Sequence, residues 1–137
     1  MVLRGVDVAA ATLTFFTDAR AAKVAALTVD PRIAVVAYDP IAQVQVRLTG
    51  TAAIATEGRA VAASWREVPP AGRRSYTALP PPGTQLAGAR LGQGARPAFA
   101  VLTVMVEMID RLDLAGTEHV RIVARRDQQW AAARVAP

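Results

Sequence analysis

The chain divides into short strand-like segments with only two helical stretches between them, and this pattern limits the folds it can adopt. A doubly wound parallel sheet requires strands and helices to alternate regularly, and they do not do so here. Short strands separated by turn residues are instead typical of antiparallel barrels, in which closure leaves few exposed edges. The sequence therefore predicts a mainly β protein, an antiparallel β-barrel with inserted helices, forming a single domain over residues 1–137.

The strands are predicted from β-branched and aromatic residues bounded by turn residues. Between residues 43 and 49 polar and apolar side chains alternate, which predicts a half-buried strand, and Gly50 is expected to mark a bulge in it. The apolar segment Ile33–Tyr38 is expected to be buried. The predicted strands are Val2–Val6, Thr12–Thr17, Ile33–Tyr38, 43–54, Phe99–Ile109, Arg111–Leu114, His119–Ala124 and Trp130–Val135.

Two helices are predicted. The first begins with Asp18 as its N-cap and ends before Pro31, because a proline disfavours helical backbone in the residue that precedes it. The second spans Gly58–Val68 and is ended by Pro69 and the proline after it. Residues 73–97 are rich in Gly and Pro and are predicted to be irregular, and so long a connection in a small domain indicates a functional or mobile segment.

Composition excludes several kinds of site. The sequence has no cysteine, so disulfides and thiolate metal sites are excluded, and His119 is the only histidine, so no metal site is predicted. No apolar stretch is long enough to span a bilayer, and no signal sequence follows Met1. These features predict a cytoplasmic protein with no membrane partner.

The net charge of +5 and the pI near 11.0 raise the question of nucleic-acid binding. The arginines are scattered from Arg4 to Arg134, Lys23 is the only lysine, and few aromatic residues could stack on bases. Nucleic acid is therefore not favoured as a partner. A hydrophobic content of 53% is high for a small monomer, and it predicts that apolar surface meets a second subunit.

The segment Phe15–Lys23 carries the main indication of a binding site. A strand end leads into the predicted helix start, where unpaired N–H groups and the positive end of the helix dipole favour an anion. Arg20 and Lys23, spaced one turn apart, would flank a phosphate bound there. Taken by themselves, these residues are also compatible with a capped surface helix whose cations are solvated, and that alternative is the commoner one.

The order of these motifs resembles the pyridoxamine 5'-phosphate oxidase family of FMN-binding split barrels. The resemblance rests on a Phe-x-Thr-Asp-x-Arg-x-x-Lys segment, the apolar strand that follows it and the run Gln45–Gly50, and it extends over nearly the whole chain. It implies an antiparallel FMN-binding split barrel, FMN as cofactor, and a homodimer with the cofactor at its interface. The cofactor-binding residues it implies are Leu3, Arg4, Phe16, Thr17, Arg20, Lys23, Gln45 and Arg121.

The chain also departs from the family pattern. It begins inside the first flavin-contacting strand, so the usual N-terminal helix and strand are expected to be missing. On the substrate side Tyr76 and Thr84 match two positions of the loop that holds the substrate phosphate in the family, but Pro80 stands where the family has arginine. Arg73 and Arg74 are candidate replacements for that arginine, with a solvated pair as the alternative.

These expectations favour an FMN-dependent oxidoreductase that acts on a small molecule other than pyridoxamine phosphate. Catalytic residues remain unassigned, with Tyr76 and His119 as the only candidates for acid or base chemistry. The alternative is a non-catalytic flavin-binding, ligand-binding or interaction protein that keeps the split-barrel dimer.

Overall fold

A computed structural model describes residues 1–88 and 90–137 as a mainly antiparallel β structure, as the sequence predicts. The strands are β1 (Val2–Asp7), β2 (Thr12–Asp18), β3 (Arg32–Asp39), β4 (Val44–Ala55), β5 (Ala78–Leu79), β6 (Gly92–Gln93), β7 (Phe99–Asp113), β8 (Val120–Arg125) and β9 (Ala133–Val135). The helices are α1 (Ala22–Val29), α2 (Arg59–Glu67) and α3 (Pro70–Thr77), with a 3-10 turn at Arg126–Gln128.

Hydrogen bonds order the strands of the larger sheet as β1-β2-β7-β4-β3, with β8 also paired to β7 and β9 to β8. Strands β5 and β6 form a separate small sheet. The chain forms two compact units. The first unit comprises Met1–Pro31 and Ala52–Thr103, and the second comprises Arg32–Thr51 and Val104–Pro137.

An aromatic cluster of Phe16, Trp65, Tyr76 and Phe99 lies in the core of the first unit. The Phe99 ring is 5.0 Å from Phe16 and 5.1 Å from both Trp65 and Tyr76, measured between centroids, and the contacts to Phe16 and Tyr76 are T-shaped. Such edge-to-face pairs add roughly 0.5–1.5 kcal/mol each beyond the area they bury. The cluster therefore fixes α2 and α3 against the strands that carry Phe16 and Phe99.

The second predicted helix is confirmed, since α2 has Gly58 as its N-cap and Val68 as its C-cap. The first predicted helix ends as expected, with Asp30 as C-cap, but its predicted start is wrong. Helix α1 begins at Ala22 with Ala21 as N-cap, and Asp18 does not cap it. The Asp18 carboxylate instead binds Arg20, which leaves it unable to reach the helix N–H groups.

Helix α3 was not predicted from the sequence. Pro70 follows the end of α2 and starts α3 directly, because a proline is tolerated in the first turn of a helix, where its missing N–H would have had no partner. Arg73 and Arg74 therefore lie on a helix. The prediction of an irregular segment is wrong over residues 73–77 and at the short strands β5 and β6. Residue 89, which belongs to the same predicted irregular segment, lies outside the described residues.

Arg73 connects α3 to the end of α2. Its Nε donates to the Val68 carbonyl at 2.9 Å, and its Nη2 lies 3.3 Å from the Arg66 carbonyl and 3.5 Å from that of Trp65. Its guanidinium also lies over the Trp65 ring, 5.4 Å from the centroid. The last carbonyls of a helix lack partners within the helix, so Arg73 satisfies the Val68 and Arg66 carbonyls, whereas the Trp65 carbonyl also accepts from the Val68 N–H. Arg73 thus has a structural role on α2, and the interpretation of residues 73 and 74 as a solvated loop pair is wrong for it.

We expect Arg73→Ala to lower the free energy of unfolding by about 1–2 kcal/mol, because hydrogen bonds from a charged donor and a cation–π contact are lost. Arg74→Ala is the matched control, since Arg74 is the next residue on the same helix and is exposed. Urea unfolding of the two variants measures the difference. Equal stability of the two variants would show that the Arg73 contacts contribute nothing.

In the second unit, β3 and β4 pair without a break from Arg32↔Thr51 to Asp39↔Val44, so the predicted bulge at Gly50 is absent from this pairing. Glycine is required for another reason. A Cβ atom at position 50 would lie 1.9 Å from the Met105 carbonyl oxygen and 3.1 Å from the Val106 Cα. The glycine permits this close approach of two backbones.

Strand β3 is also less buried than predicted. Val36 is 58% exposed and Tyr38 is 53% exposed in the single chain, and β3 is the last strand in the sheet order. The apolar side chains of β3 are therefore only partly covered by the rest of the chain. An edge strand with exposed apolar residues is a common site for pairing with another chain.

Two strand boundaries in the second unit also differ from prediction. Strand β7 runs unbroken through Asp110, because the carboxylate of Asp110 is paired with Arg121 on β8 and no longer interrupts the apolar pattern. Strand β9 starts at Ala133 rather than at Trp130. Gln129 and Trp130 both have left-handed backbone, with φ of 53° and 61°, and the Arg126 guanidinium lies over the Trp130 ring.

Candidate binding cleft

The first unit contains a cleft of about 410 Å³. Strand β1, the end of β2, the start of α1 and helix α3 all contribute to it. Its wall is apolar at Val2, Phe16, Val68 and Pro82. The polar and charged side chains that line it are Arg4, Thr17, Asp18, Lys23, Ser75 and Tyr76.

Asp18 lies in this cleft and is 8% exposed. Its Oδ1 accepts from the backbone N–H and the Nε of Arg20, at 2.8 and 3.0 Å, and its Oδ2 accepts from Arg20 Nη2 at 2.7 Å. Burial disfavours the ionised form of Asp18, but the hydrogen bonds and charge of Arg20 outweigh this and hold its pKa below the usual value. The two residues form a bidentate ion pair at the end of β2.

Lys23 lies in the first turn of α1 and faces the same cleft. Among the described residues no side chain caps the N-terminus of α1, and its first turn carries no acidic residue. The cleft is thus bordered by an ammonium group and by the positive end of a helix. Both features favour a negatively charged ligand.

Arg4 supplies a second cation to the cleft from β1. Its guanidinium lies over the Phe16 ring, 5.5 Å from the centroid, which fixes the side chain against the aromatic cluster. The buried Thr17 lies at the end of β2 and lines the cleft between these groups. Burial raises the pKa of the Tyr76 hydroxyl, although the positive charge of Arg4 acts in the opposite direction. This phenol therefore remains a hydrogen-bond donor at neutral pH.

Four of the predicted cofactor residues meet in the cleft, namely Arg4, Phe16, Thr17 and Lys23. Arg20 contacts the cleft residue Asp18 but is not itself part of the lining. Leu3 lies on β1 opposite Phe15, is 47% exposed, and is also outside the lining.

Gln45 and Arg121 belong to the second unit. Gln45 is half-buried on β4, opposite Tyr38 of β3. Arg121 forms a bidentate ion pair with Asp110, with Nε at 2.9 Å from Oδ1 and Nη2 at 2.8 Å from Oδ2. The hydrogen bonds from Arg121 lower the pKa of Asp110.

Of the predicted substrate-side residues, only Tyr76 lines the cleft. Arg73 is bound to the end of α2, Arg74 is exposed, and Thr84 lies outside the lining, with its backbone N–H bonded to the Pro81 carbonyl. Sequence reasoning missed Gly72 and Ser75, which line the cleft with Tyr76. These three residues have the i, i+3, i+4 spacing of one helix face, a signal that requires α3 to be recognised first.

Residues 1–88 and 90–137 contain no group of three or more His, Cys, Asp or Glu side chains placed to hold a metal ion. No helix within these ranges has the length and apolar character needed to cross a membrane.

Comparisons with known proteins give a family match and two similar solved structures. Residues 3–113 match the family described as pyridoxamine 5'-phosphate oxidase. The structure is similar to that of a pyridoxamine 5'-phosphate oxidase-related, FMN-binding protein from Nostoc punctiforme PCC 73102. The TM-score is 0.79 at 24% identity, covering 99% of this chain and 78% of that chain. No curated protein matches the sequence.

A second solved structure with a similar fold is PhzG from Burkholderia lata 383, in complex with tetrahydrophenazine-1-carboxylic acid. The TM-score is 0.78 at 16% identity, covering 98% of this chain and 72% of that chain. At such identities these two similarities bear on the fold alone, and they confirm the predicted split barrel.

Proposed function

This chain belongs to the pyridoxamine 5'-phosphate oxidase family, and from that premise we propose that it is an FMN-binding, flavin-dependent oxidoreductase. The observation that carries the proposal is the presence of Arg4 and Lys23 in one cleft whose only lining carboxylate, among the described residues, is neutralised by Arg20. A phosphate is the part of FMN that such a cleft would hold.

The residues of the cleft fit this group by their donor chemistry. Lys23 and the start of α1 supply positive charge, Arg4 adds a second cation, and Thr17 and Ser75 offer hydroxyl groups. The apolar wall, including Val2 and Pro82, suits the carbon skeleton of a ligand better than bulk water. The FMN-binding relative from Nostoc punctiforme, which has the same fold, supports the choice of cofactor.

We extend the proposal to the other residues that the family resemblance implies. Gln45, which carries both a donor and an acceptor, would contact the flavin ring, and Leu3 and Arg121 would complete the cofactor contacts. Arg121 would do so through Nη1 alone, because its Nε and Nη2 are bound to Asp110. These assignments are tested by the effect of each substitution on FMN affinity.

Bound flavin would supply two-electron redox chemistry, and this chain's own residues would bind it, orient it and limit the access of water. Phe16 and Tyr76 would form the aromatic wall on the protein side. The protonated Tyr76 hydroxyl is available as a donor to a substrate or to the cofactor. We assign it no step beyond this contact.

The substrate is expected to be a small molecule other than pyridoxamine phosphate. Pro80 stands where, by the resemblance, the family has arginine. Of the two candidate replacements, Arg73 is bound to the end of α2 and Arg74 lies outside the cleft lining. A charge-assisted contact to a substrate phosphate, worth roughly 1.5–3 kcal/mol, is therefore missing at this position.

The experiment that tests the proposal begins with the absorbance spectrum of the purified chain after incubation with FMN and removal of free ligand. We expect a flavin spectrum from a tight complex, and bleaching of that spectrum when NAD(P)H or a chemical reductant is added under anaerobic conditions. A flavin spectrum that NAD(P)H and candidate substrates fail to change would favour the alternative, a non-catalytic flavin-binding protein. Absence of bound flavin would overturn the proposal.

We further propose that the protein is a homodimer with the cofactor at its interface. The exposed apolar residues Val36 and Tyr38 on the edge strand β3 support a second copy as their partner. Light scattering at micromolar concentration is expected to give the mass of two chains, and Val36→Glu to shift it toward one. Val29→Glu is the control, because Val29 is also exposed but lies on α1. A monomeric wild-type protein would contradict this proposal.

A further inference from the structure

We infer that Arg20 acts as a positioning residue that neutralises Asp18 in the cleft and does not itself bind the ligand phosphate. The inference rests on the proposed function, because it concerns how the same cleft accepts the phosphate of FMN. It assigns a different role to the residue that the sequence places most directly on the phosphate.

The geometry leaves the Arg20 fork occupied. Both of its donors on the Nε–Nη2 edge are bound to the two oxygens of Asp18, at 3.0 and 2.7 Å. This edge is one of the two on which a guanidinium forms bidentate contacts with carboxylates and phosphates, and Nη2, which both edges share, also lies 3.5 Å from the Tyr76 carbonyl oxygen. Arg20 is also absent from the cleft lining, whereas Asp18 and Lys23 belong to it.

The pairing changes the charge that a ligand would meet. With Arg20 in place, the Asp18–Arg20 pair carries no net charge, and Arg4 and Lys23 leave the cleft positive. Without Arg20, a buried carboxylate would lie unpaired in the cleft and would repel a phosphate. The contribution of Arg20 to anion binding is then the removal of a repulsion rather than a contact.

Arg20 also connects the end of β2 to the wall formed by Tyr76. Its Nη2 is 3.5 Å from the Tyr76 carbonyl, which accepts a stronger bond from the Ala98 N–H at 2.7 Å. The Ala98 carbonyl in turn accepts from the Ala19 N–H at 2.7 Å. The segment that carries Asp18 and Arg20 is therefore tied to the position of Tyr76 through the backbone of residue 98.

A double-mutant experiment separates this role from a direct phosphate contact. Arg20→Gln is expected to weaken FMN binding by about tenfold or more, because it exposes the Asp18 charge, and to change riboflavin binding little. Adding Asp18→Asn removes that charge, and the double variant Asp18→Asn/Arg20→Gln is expected to bind FMN within about threefold of wild type. If Arg20 binds the phosphate directly, the double variant will remain as weak as Arg20→Gln.

The outcomes distinguish this inference from the proposed function. Wild-type binding of FMN with no rescue in the double variant overturns the inference alone, whereas a wild-type protein that binds no FMN overturns both. Should Arg20→Gln fail to fold, which its circular dichroism would reveal, the comparison of the double variant with wild type decides. The double variant carries no unpaired buried carboxylate, so FMN affinity near wild type supports the inference and weak binding overturns it.

Discussion

Lys23→Ala is expected to weaken FMN binding roughly ten- to hundredfold, which corresponds to the loss of one charge-assisted hydrogen bond of about 1.5–3 kcal/mol. Lys23 is the cation at the start of α1 that lines the cleft, and no capping side chain among the described residues competes for that helix end. Fluorescence titration of FMN measures the loss.

Arg74→Ala is the matched control for this prediction. It removes one positive charge from the same unit, at an exposed position outside the cleft lining, so it tests whether net charge alone accounts for the effect. The expected change for Arg74→Ala is less than about twofold, because exposed charges are screened by salt. Similar losses for the two variants would show that Lys23 has no specific contact with the ligand.

Gly50→Ala is expected to produce the largest loss of stability, about 3 kcal/mol, equivalent to a fall in Tm of about 10 °C. The added Cβ would lie 1.9 Å from the Met105 carbonyl oxygen and 2.9 Å from the Met105 carbonyl carbon. Both are backbone atoms within a sheet, so neither can move aside by changing a rotamer. The strands β4 and β7 would have to separate locally.

The control for Gly50 is Gly92→Ala. Gly92 is also a strand glycine, on β6, and a Cβ there would have no described neighbour within 4 Å. We expect its Tm to stay within about 2 °C of wild type. Thermal unfolding of the two variants by circular dichroism checks the difference, and a Gly50→Ala protein as stable as Gly92→Ala would show that the backbones are not in close contact.

Where local sequence determines structure strongly, prediction and structure agree. Helix α2 was predicted almost to the residue, because Gly58 and Pro69 bound a clear apolar stripe. The β1–β2 hairpin and the end of α1 before Pro31 follow from equally local rules.

The errors occur where a specific side-chain partner, near or far in sequence, determines the outcome. Asp18 has the residue type of an N-cap, but an arginine two positions later captures its carboxylate, and residue type alone does not reveal that competition. Asp110 was predicted to break a strand, but its carboxylate is paired with Arg121 and the strand continues through it. Pro70 can end one helix or begin the next, and the contacts of Arg73 with α2 favour the second outcome here.

The residues of the candidate site also divide into those that the sequence indicated and those that it did not. The family resemblance pointed to four residues that the structure brings to one cleft. Phe16, Thr17 and Lys23 belong to the motif from β2 to α1, which is continuous in sequence, and Arg4 lies on β1, which pairs with β2. Ser75 could not be identified without α3. The pairing of Arg20 with Asp18 depends on side-chain geometry that spacing does not encode.

The cleft is proposed to bind FMN through its phosphate. The most direct test is the ratio of dissociation constants for riboflavin and FMN, measured by equilibrium titration of the wild-type protein in one buffer. The two ligands share the flavin ring and differ in the phosphate, so two cations on that group predict FMN binding tighter by about a hundredfold or more. Equal affinities for riboflavin and FMN would contradict the account, because the charges of Arg4 and Lys23 would then not act on the ligand.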